Sequence, residues 1–386
     1  MAAPNLEWMK SFLGQLVSAN TENPPGCEIE AAELLRKELD KFNFDTSLTE
    51  FSPGRANIVA SLENGPGPTF AFNSHIDVVP AGQGWSTDPF ILVEKEGRLY
   101  GRGSCDAKGP IVAMLEALRL LECNRQAWSG TLLGIFVADE EVASLGAKEF
   151  VKSQPVIDYI VVGEPTSNMT VTAHKGSIRA IVRVFGETAH SASPDLGENA
   201  IYRAAKLVNL IEAGHARLRE RCHDLVGSPT LTVTRFNAGH ADNVIPDVCE
   251  LLIERRMIPG EDLDRVKKEF QETLDCAQRE NGVRAEIVGY KPIMAPAETP
   301  ADHPIVKTCL GVGHNHGCKN DNPAGFQGGC DLVYFRSIGA QGVVLGPGAI
   351  SVAHKPDEFV PIEEFANASL IYYELALAML SGRAVS

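Results

Sequence analysis

Four short apolar runs set the fold of this chain: Asn57–Leu62, Thr69–Asn73, Thr131–Ala138 and Tyr159–Val162. Each has the length of a strand. Strands that are apolar on both faces belong to sheets covered on both sides. Between them lie stretches with helical apolar spacing: residues 5–18, residues 28–42 (Ile29, Ala32, Leu35, Leu39) and Pro110–Leu121. Proline at the first position of the last one is harmless there, because first-turn N–H groups have no helical partner. The alternation predicts an α/β fold, a sheet with helices on both faces.

The middle of the chain has another rhythm. Ser177–Phe185, Thr230–Phe236, Val248–Met257 and Val283–Val288 read as strands, Glu198–Ala213 and Leu263–Arg279 as helices. The order β-α-β-β-α-β is the ferredoxin-like pattern. From Pro296 the first style resumes, with a strand at Gly342–Leu345 and a final helix at Ile362–Leu380. The expected plan is therefore a discontinuous mixed-sheet domain, residues 1–176 and 296–386, interrupted by a ferredoxin-like α+β domain at 177–295. A length of 386 residues suits such a plan at about 150 residues per domain.

Composition narrows the function. With 35 basic and 50 acidic residues the net charge is −15, which repels phosphate backbones and argues against a nucleic-acid partner. No run of 18 apolar residues occurs, so no membrane span is expected. The nine cysteines are scattered, odd in number and free of C-x-x-C spacing, as expected for free thiols in a reducing cytoplasm. The N-terminal stretch MAAPNLEWMKSFLGQL lacks the basic and apolar regions of a secretory signal.

Chemistry-bearing residues cluster where predicted strands end. Thr69–Asn73 runs into Ser74-His75-Ile76-Asp77, Thr131–Ala138 into Asp139-Glu140-Glu141, and Tyr159–Val162 into Gly163-Glu164-Pro165-Thr166. Gly342–Leu345 runs into Gly346-Pro347-Gly348, with His354 a few residues on, and Asp106 precedes the Pro110 helix. In open α/β sheets ligands bind beyond the carboxyl ends of the strands. Singly, each cluster has a bland reading: a chance His-x-Asp, a solvated acidic turn, a helix start, a helix cap. Together, two histidines and three carboxylates are what a two-metal hydrolase needs, with one shared carboxylate holding two ions about 3.5–4 Å apart. Other patterns lead away from function. Gly101-Arg102-Gly103 lacks the phosphate-loop spacing, no G-x-S-x-G elbow or G-x-G-x-x-G is present, and His314-Asn315-His316-Gly317-Cys318 has no companion pair and reads as a solvent loop.

At these residues the sequence resembles a known family, the dinuclear zinc exopeptidases and deacylases, which include acetylornithine deacetylase, succinyl-diaminopimelate desuccinylase, aminoacylase and glutamate carboxypeptidase. The resemblance covers nearly the whole chain. It is carried by Ser74 to Pro80, Trp85 to Phe90, Leu99-Tyr100-Gly101-Arg102-Gly103 with Asp106 and Lys108-Gly109, Asp139-Glu140-Glu141, and Gly163-Glu164-Pro165-Thr166. It implies that His75 and Glu164 hold one metal, that Glu141 and His354 hold the other, and that Asp106 bridges them. Asp77 would orient His75, and Glu140 would be the general base. The two divalent ions would be zinc, with cobalt or manganese as substitutes. The inserted domain would serve as a lid and a dimerisation surface of a homodimer. From it His190 would stabilise the oxyanion in the partner's site, and Asn243 and Arg256 would bind substrate. Gly348 would line the substrate pocket. Gly328, in Gly328-Gly329-Cys330-Asp331, fits the family's substrate loop only loosely. Cys105 and Cys330 carry no implied role.

The stretches Thr172-Ala173-His174-Lys175-Gly176 and Ala353 to Phe359 look most like acetylornithine deacetylase. Desuccinylases tend to carry arginine where Lys175 stands. The expected activity is hydrolysis of the amide bond of an N-acyl amino acid. Desuccinylation, dipeptide or carboxypeptidase cleavage, and a catabolic amidase acting on another carboxylate-bearing C–N bond are the alternatives. A metal-binding protein without catalysis would not need Glu140.

Overall fold

The computed structural model describes residues 3–318 and 320–382. Contacts divide the chain into two units: one holds the residues up to Thr172, Thr299–Gly325 and those from Cys330 on; the other holds Ala173–Glu298 with Phe326–Gly329. Gly328, expected in the larger domain, thus groups with the smaller one.

The larger unit is built on a mixed sheet. Its strands run in the order Asp45–Ser52, Arg55–Asn64, Gly130–Val137, Thr69–His75, Tyr159–Val162, Gln341–Val344 and the strand that begins at Val171. The four strands from Gly130–Val137 to Gln341–Val344 are parallel, so their carboxyl ends share one rim. Alternation along each strand assigns its side chains to two faces. Phe70, Phe72, Val161 and Val343 join a core with the helices Leu6–Ser18, Ile29–Lys41, Lys108–Cys123, Pro304–Asn315 and Ile362–Leu380. On the other face, a Cβ at Gly342 would meet Leu332 Cδ1 at 2.8 Å, which places the helix Leu332–Ser337 there. Phe335 of that helix packs on Phe150 of the helix Leu145–Val151. Helices therefore cover both faces, and each fully buried Phe or Leu in these layers contributes about 1.5–3 kcal/mol.

The helix after Asp106 starts at Lys108, two residues before the expected Pro110. Proline is its third residue, still among the first four donors that lack helical partners. The helix is capped by Ala107 without a side-chain bond, so Asp106 is not its cap. Lys108 is buried and its Nζ donates to the carbonyls of Leu16 (2.7 Å) and Ala19 (2.9 Å), closing the end of the first helix. Burial pushes this ammonium down to about 7.

The smaller unit has a four-stranded antiparallel sheet in the order Thr230–Ala238, Val248–Met257, Gly176–Phe185, Arg284–Tyr290. Helices Ala200–Leu218 and Leu263–Asn281 pack their apolar stripes (Ala204, Leu207, Ile211; Val266, Phe270, Leu274) on one face, over Ile178, Val182, Leu251 and Ile253. Element order and strand order are those of the ferredoxin-like fold. The opposite face carries cross-strand ion pairs, Arg179–Glu254 and Arg183–Glu250. Among the described residues, no helix is long and apolar enough to cross a membrane.

Candidate metal centre

Three of the candidate residues converge on one point. Atoms of His75, Asp106 and Glu141 lie within 4.8 Å of one another. His75 ends its strand, Glu141 follows the strand Gly130–Val137, and Asp106 stands just before the Lys108 helix. The two oxygens of Asp106 face different imidazoles. Oδ1 is 3.1 Å from His75 Nε2, and Oδ2 is 3.3 Å from His354 Nε2. His354 Nε2 is also 3.1 Å from Glu141 Oε2. A carboxylate flanked by two imidazole nitrogens, with a second carboxylate on one side, is a donor set suited to two borderline-hard divalent ions.

The electrostatics agree with a site built for cations. His354 is raised to about 10 by its hydrogen bonds to Asp106 and Glu141. His75 is fully buried, which lowers the cationic form, yet Asp106 and Asp77 outweigh this and leave it well above the usual imidazole range. Glu164, beyond the strand Tyr159–Val162, is buried and pushed well up, first by burial and then by the charge of Asp106. Glu140 is likewise held well above the usual carboxylate range, by burial and by Glu164. Asp106, despite its burial, is held low by both histidines.

Asp77 acts differently from a simple orienting carboxylate. The closer acceptor for His75 Nδ1 is the main-chain oxygen of Asp77 at 2.9 Å; the carboxylate is 3.6 Å away, beyond hydrogen-bond length. Its oxygens instead accept the main-chain N–H groups of Glu140 (3.0 Å) and Glu141 (3.2 Å). It thus ties the His75 strand to the neighbouring acidic loop.

Glu358 has no counterpart in the sequence reading. It is buried, ion-paired with the buried Arg102, and its Oε1 accepts the N–H groups of Cys105 (2.9 Å) and Asp106 (3.0 Å). The spacing of four residues from His354 was the only signal available. Cys105 lies under the glycine loop: a Cβ on Gly348, whose φ is +80°, would sit 2.5 Å from its Sγ. Gly348 N donates to Glu364 Oε2 at 2.8 Å. Cys330 is buried, which pushes its thiol well up and leaves it a poor nucleophile. The His314 to Cys318 tract does not converge: His314 faces Asp321 at 3.9 Å, His316 faces Glu374 at 3.1 Å, and Cys318 Sγ donates to Asn168 O.

In the smaller unit, His190 follows the strand Gly176–Phe185 and is exposed. Its Nδ1 accepts the Ala192 N–H at 3.1 Å, which leaves Nε2–H free to donate. It bridges to Val244, and Ser191 N donates to Asn243 O, so Asn243 lies on the adjoining segment. Arg256 is elsewhere, on the sheet face and paired with Glu254 at 3.0 Å.

A parallel-centred α/β sheet with converging imidazoles and carboxylates at its carboxyl rim defines a metallohydrolase. The comparisons with known proteins agree. Residues 71–378 match Peptidase family M20/M25/M40, and the chain belongs to this family, whose relatives mark it as a metal-dependent hydrolase acting on amide bonds. It is 33% identical over 330 residues to an acetylornithine deacetylase of Vibrio vulnificus (strain CMCP6), covering 83% of each chain. It is 28% identical over 399 residues to a Staphylococcus epidermidis (strain ATCC 12228 / FDA PCI 1200) protein named "Probable succinyl-diaminopimelate desuccinylase", covering 96% of this chain and 97% of that one. Its fold is similar to an M20 family metallo-carboxypeptidase from Sulfolobus solfataricus, with a TM-score of 0.82 at 18% identity over 97% of this chain and 99% of the other.

Proposed function

We propose that this chain hydrolyses the amide bond of an N-acyl amino acid, with an acetylated basic amino acid of the acetylornithine type as first choice. The carrying observation is Asp106 set between His75 and His354, with Glu141 beside them. In this reading His75 and Glu164 hold one divalent ion, Glu141 and His354 the other, and Asp106 both; zinc is the expected metal, cobalt or manganese its substitutes. Bound ions supply Lewis acidity, which polarises an acyl oxygen and acidifies water. Glu140 takes the proton of the attacking water and delivers it to the leaving amine nitrogen. Its environment suits the task, because burial and the nearby Glu164 raise its carboxyl and so favour return of the proton to the leaving amine. Asp77 keeps Glu140 and Glu141 apart by holding their successive amides.

The smaller unit would act as a lid and dimerisation surface in a cytoplasmic homodimer. His190 would donate Nε2–H to the developing oxyanion in the partner's site, and Asn243, Arg256, Gly328 and Gly348 would contact substrate. An arginine fork suits a substrate carboxylate. The substrate choice draws support from the deacetylase relative at 33% identity. A panel of zinc-loaded assays tests it: N-acetyl and N-succinyl amino acids, dipeptides and amides of carboxylate-bearing compounds, with released amine as readout. The highest kcat/KM on N-acetyl basic amino acids is expected; preference for a succinyl donor or a dipeptide would replace the substrate assignment. Glu140→Gln should keep its metal and lose about 10²–10⁴-fold in kcat.

A further inference from the structure

We propose that Arg55 and Asn57 are positioning residues for the loop that carries Glu140 and Glu141. The inference rests on the reading of Glu140 as the proton acceptor. The problem it addresses is geometric. Two adjacent, chemically identical carboxylates need separate tasks, and only the path of the backbone tells them apart.

The loop leaves the strand Gly130–Val137 at Ala138 and re-enters regular structure near Gly146. Its own bonds close it on itself: Ala143 N (3.1 Å) donates to Asp139 O, and Gly146 N (3.0 Å) to Ala138 O. These bonds shape a turn but do not aim it. The aim comes from the neighbouring strand Arg55–Asn64, which pairs antiparallel with Gly130–Val137 (Ile58 opposite Phe136), so its first residues lie beside the loop's exit. Residues 55 and 57 point to the same face.

Asn57 clamps both ends. Its Oδ1 accepts Ala138 N at 3.1 Å and its Nδ2 donates to Gly146 O at 2.8 Å. The fit excludes a side chain at position 146, where a Cβ would stand 2.4 Å from Asn57 Oδ1 and 2.5 Å from Ala138 O. Arg55 holds the hub. Its Nη2 donates both to Asp139 Oδ1 at 2.8 Å and to Oε1 of the buried Glu28 at 2.7 Å, and its Nε donates to Glu28 Oε2 at 2.6 Å. Here too a glycine makes room: a Cβ on Gly26 would fall 2.3 Å from Arg55 Cζ.

Asp139 sits at φ +74°, a left-handed conformation that side chains other than glycine rarely adopt. Three donors keep its carboxylate in place: Arg55 Nη2, Asn23 Nδ2 at 3.0 Å and Leu145 N at 3.2 Å. Asn23 Nδ2 also donates to Asp77 Oδ2 at 2.8 Å. A continuous path therefore runs from Arg55 through Asp139 and Asn23 to Asp77, the residue that receives the amides of Glu140 and Glu141. Arg55 touches no reacting atom; it fixes the direction of the residues that do.

Arg55→Met in the full, zinc-loaded protein tests this. The variant keeps length and apolar packing and loses every donor. Metal content and KM should stay within about twofold of the parent while kcat falls about 10²-fold, the cost of displacing a reacting group by about 1 Å. Amides 143–146 should exchange with deuterium faster, in the metal-free protein as well. Arg55→Lys should recover part of kcat, since one ammonium reaches one partner. If Arg55→Met does not fold, Asp139→Asn gives the same reading, with a loss of about tenfold. Unchanged kcat and exchange in a folded variant, or a loss expressed as lost metal or raised KM, overturns the proposal. Glu140→Gln measured alongside separates the two claims: if it turns over like the parent, the role of Glu140 is wrong, and amide exchange alone then decides the clamp.

Discussion

Glu358 accepts the main-chain N–H of Asp106 at 3.0 Å, so the segment that presents His354 also holds the carboxylate that His354 faces. Its other oxygen is paired with Arg102, and both side chains are buried. Removing one charge of a buried pair strands the other. Glu358→Gln keeps an acceptor for Asp106 but leaves Arg102 unpaired. It should lose about 3–5 kcal/mol in denaturant unfolding, and its metal should leave more readily in competition with a chelator. Unchanged stability would mean that Arg102 finds another partner.

Metal affinity should rise with pH. His354 is raised to about 10 and His75 lies well above its usual range, both through carboxylate partners. In the metal-free protein these ion pairs add stability that is complete below the unfolded imidazole value and lost as pH climbs through the folded one. An incoming cation must displace those protons. Zinc affinity, measured against a competing chelator, should increase about one to two decades per pH unit from pH 6 to 9, and the metal-free protein should become less stable over the same range. A flat profile would contradict the assignment of the histidines.

No room is left between Gly348 and Cys105 Sγ for a side chain at position 348. Gly348→Ala forces a left-handed φ on a residue with a Cβ and drives that Cβ toward Cys105 Sγ. A destabilisation of about 1–3 kcal/mol is expected. Adding Cys105→Ala should return only the steric part, because the backbone strain remains. Full recovery in the double mutant would show that φ carries no cost there.

The apolar runs made the centre of the sheet readable. Tyr159–Val162, Val248–Met257 and Ile362–Leu380 begin and end where their periodicity does. The strand Asp45–Ser52 was not readable, because an edge strand with alternating exposed Asp, Ser and Glu carries no apolar run. Nor were the three-residue strands Val93–Lys95, Arg98–Tyr100 and Phe359–Pro361, too short to carry a pattern; the first two form a tight hairpin, and only the pairing of Arg98–Tyr100 with Phe359–Pro361 joins segments far apart in sequence. The helix Pro304–Asn315 is broken by Gly311 and Gly313 in pattern but held by burial of Ile305, Cys309 and Val312. At the site, His75, Glu141 and Glu164 stood out because each sits at or just past the end of a strand, and Asp106 because it precedes a helix. Glu358, Asn23, Arg55 and Asn57 did not, since their part depends on side-chain contacts with loops fixed only by the fold.

Hybrid dimers test the proposed role of His190. Homodimers of His190→Ala and of Glu140→Gln should each be nearly inactive, since an oxyanion donor alone is worth about 10²–10³-fold. Mixed and re-associated chains should regain activity, because one hybrid site then combines an intact Glu140 with an intact His190. Hybrids that form and stay inactive, or an active monomer, would remove His190 from the partner's site.

The central claim is a pair of ions at Asp106. Anomalous diffraction at the zinc edge, on crystals of zinc-loaded protein, tests it most directly. Two peaks about 3.5–4 Å apart are predicted, one beside His75 and Glu164 and one beside Glu141 and His354, with an oxygen of Asp106 toward each. A single peak, or zinc bound away from Asp106, would contradict it.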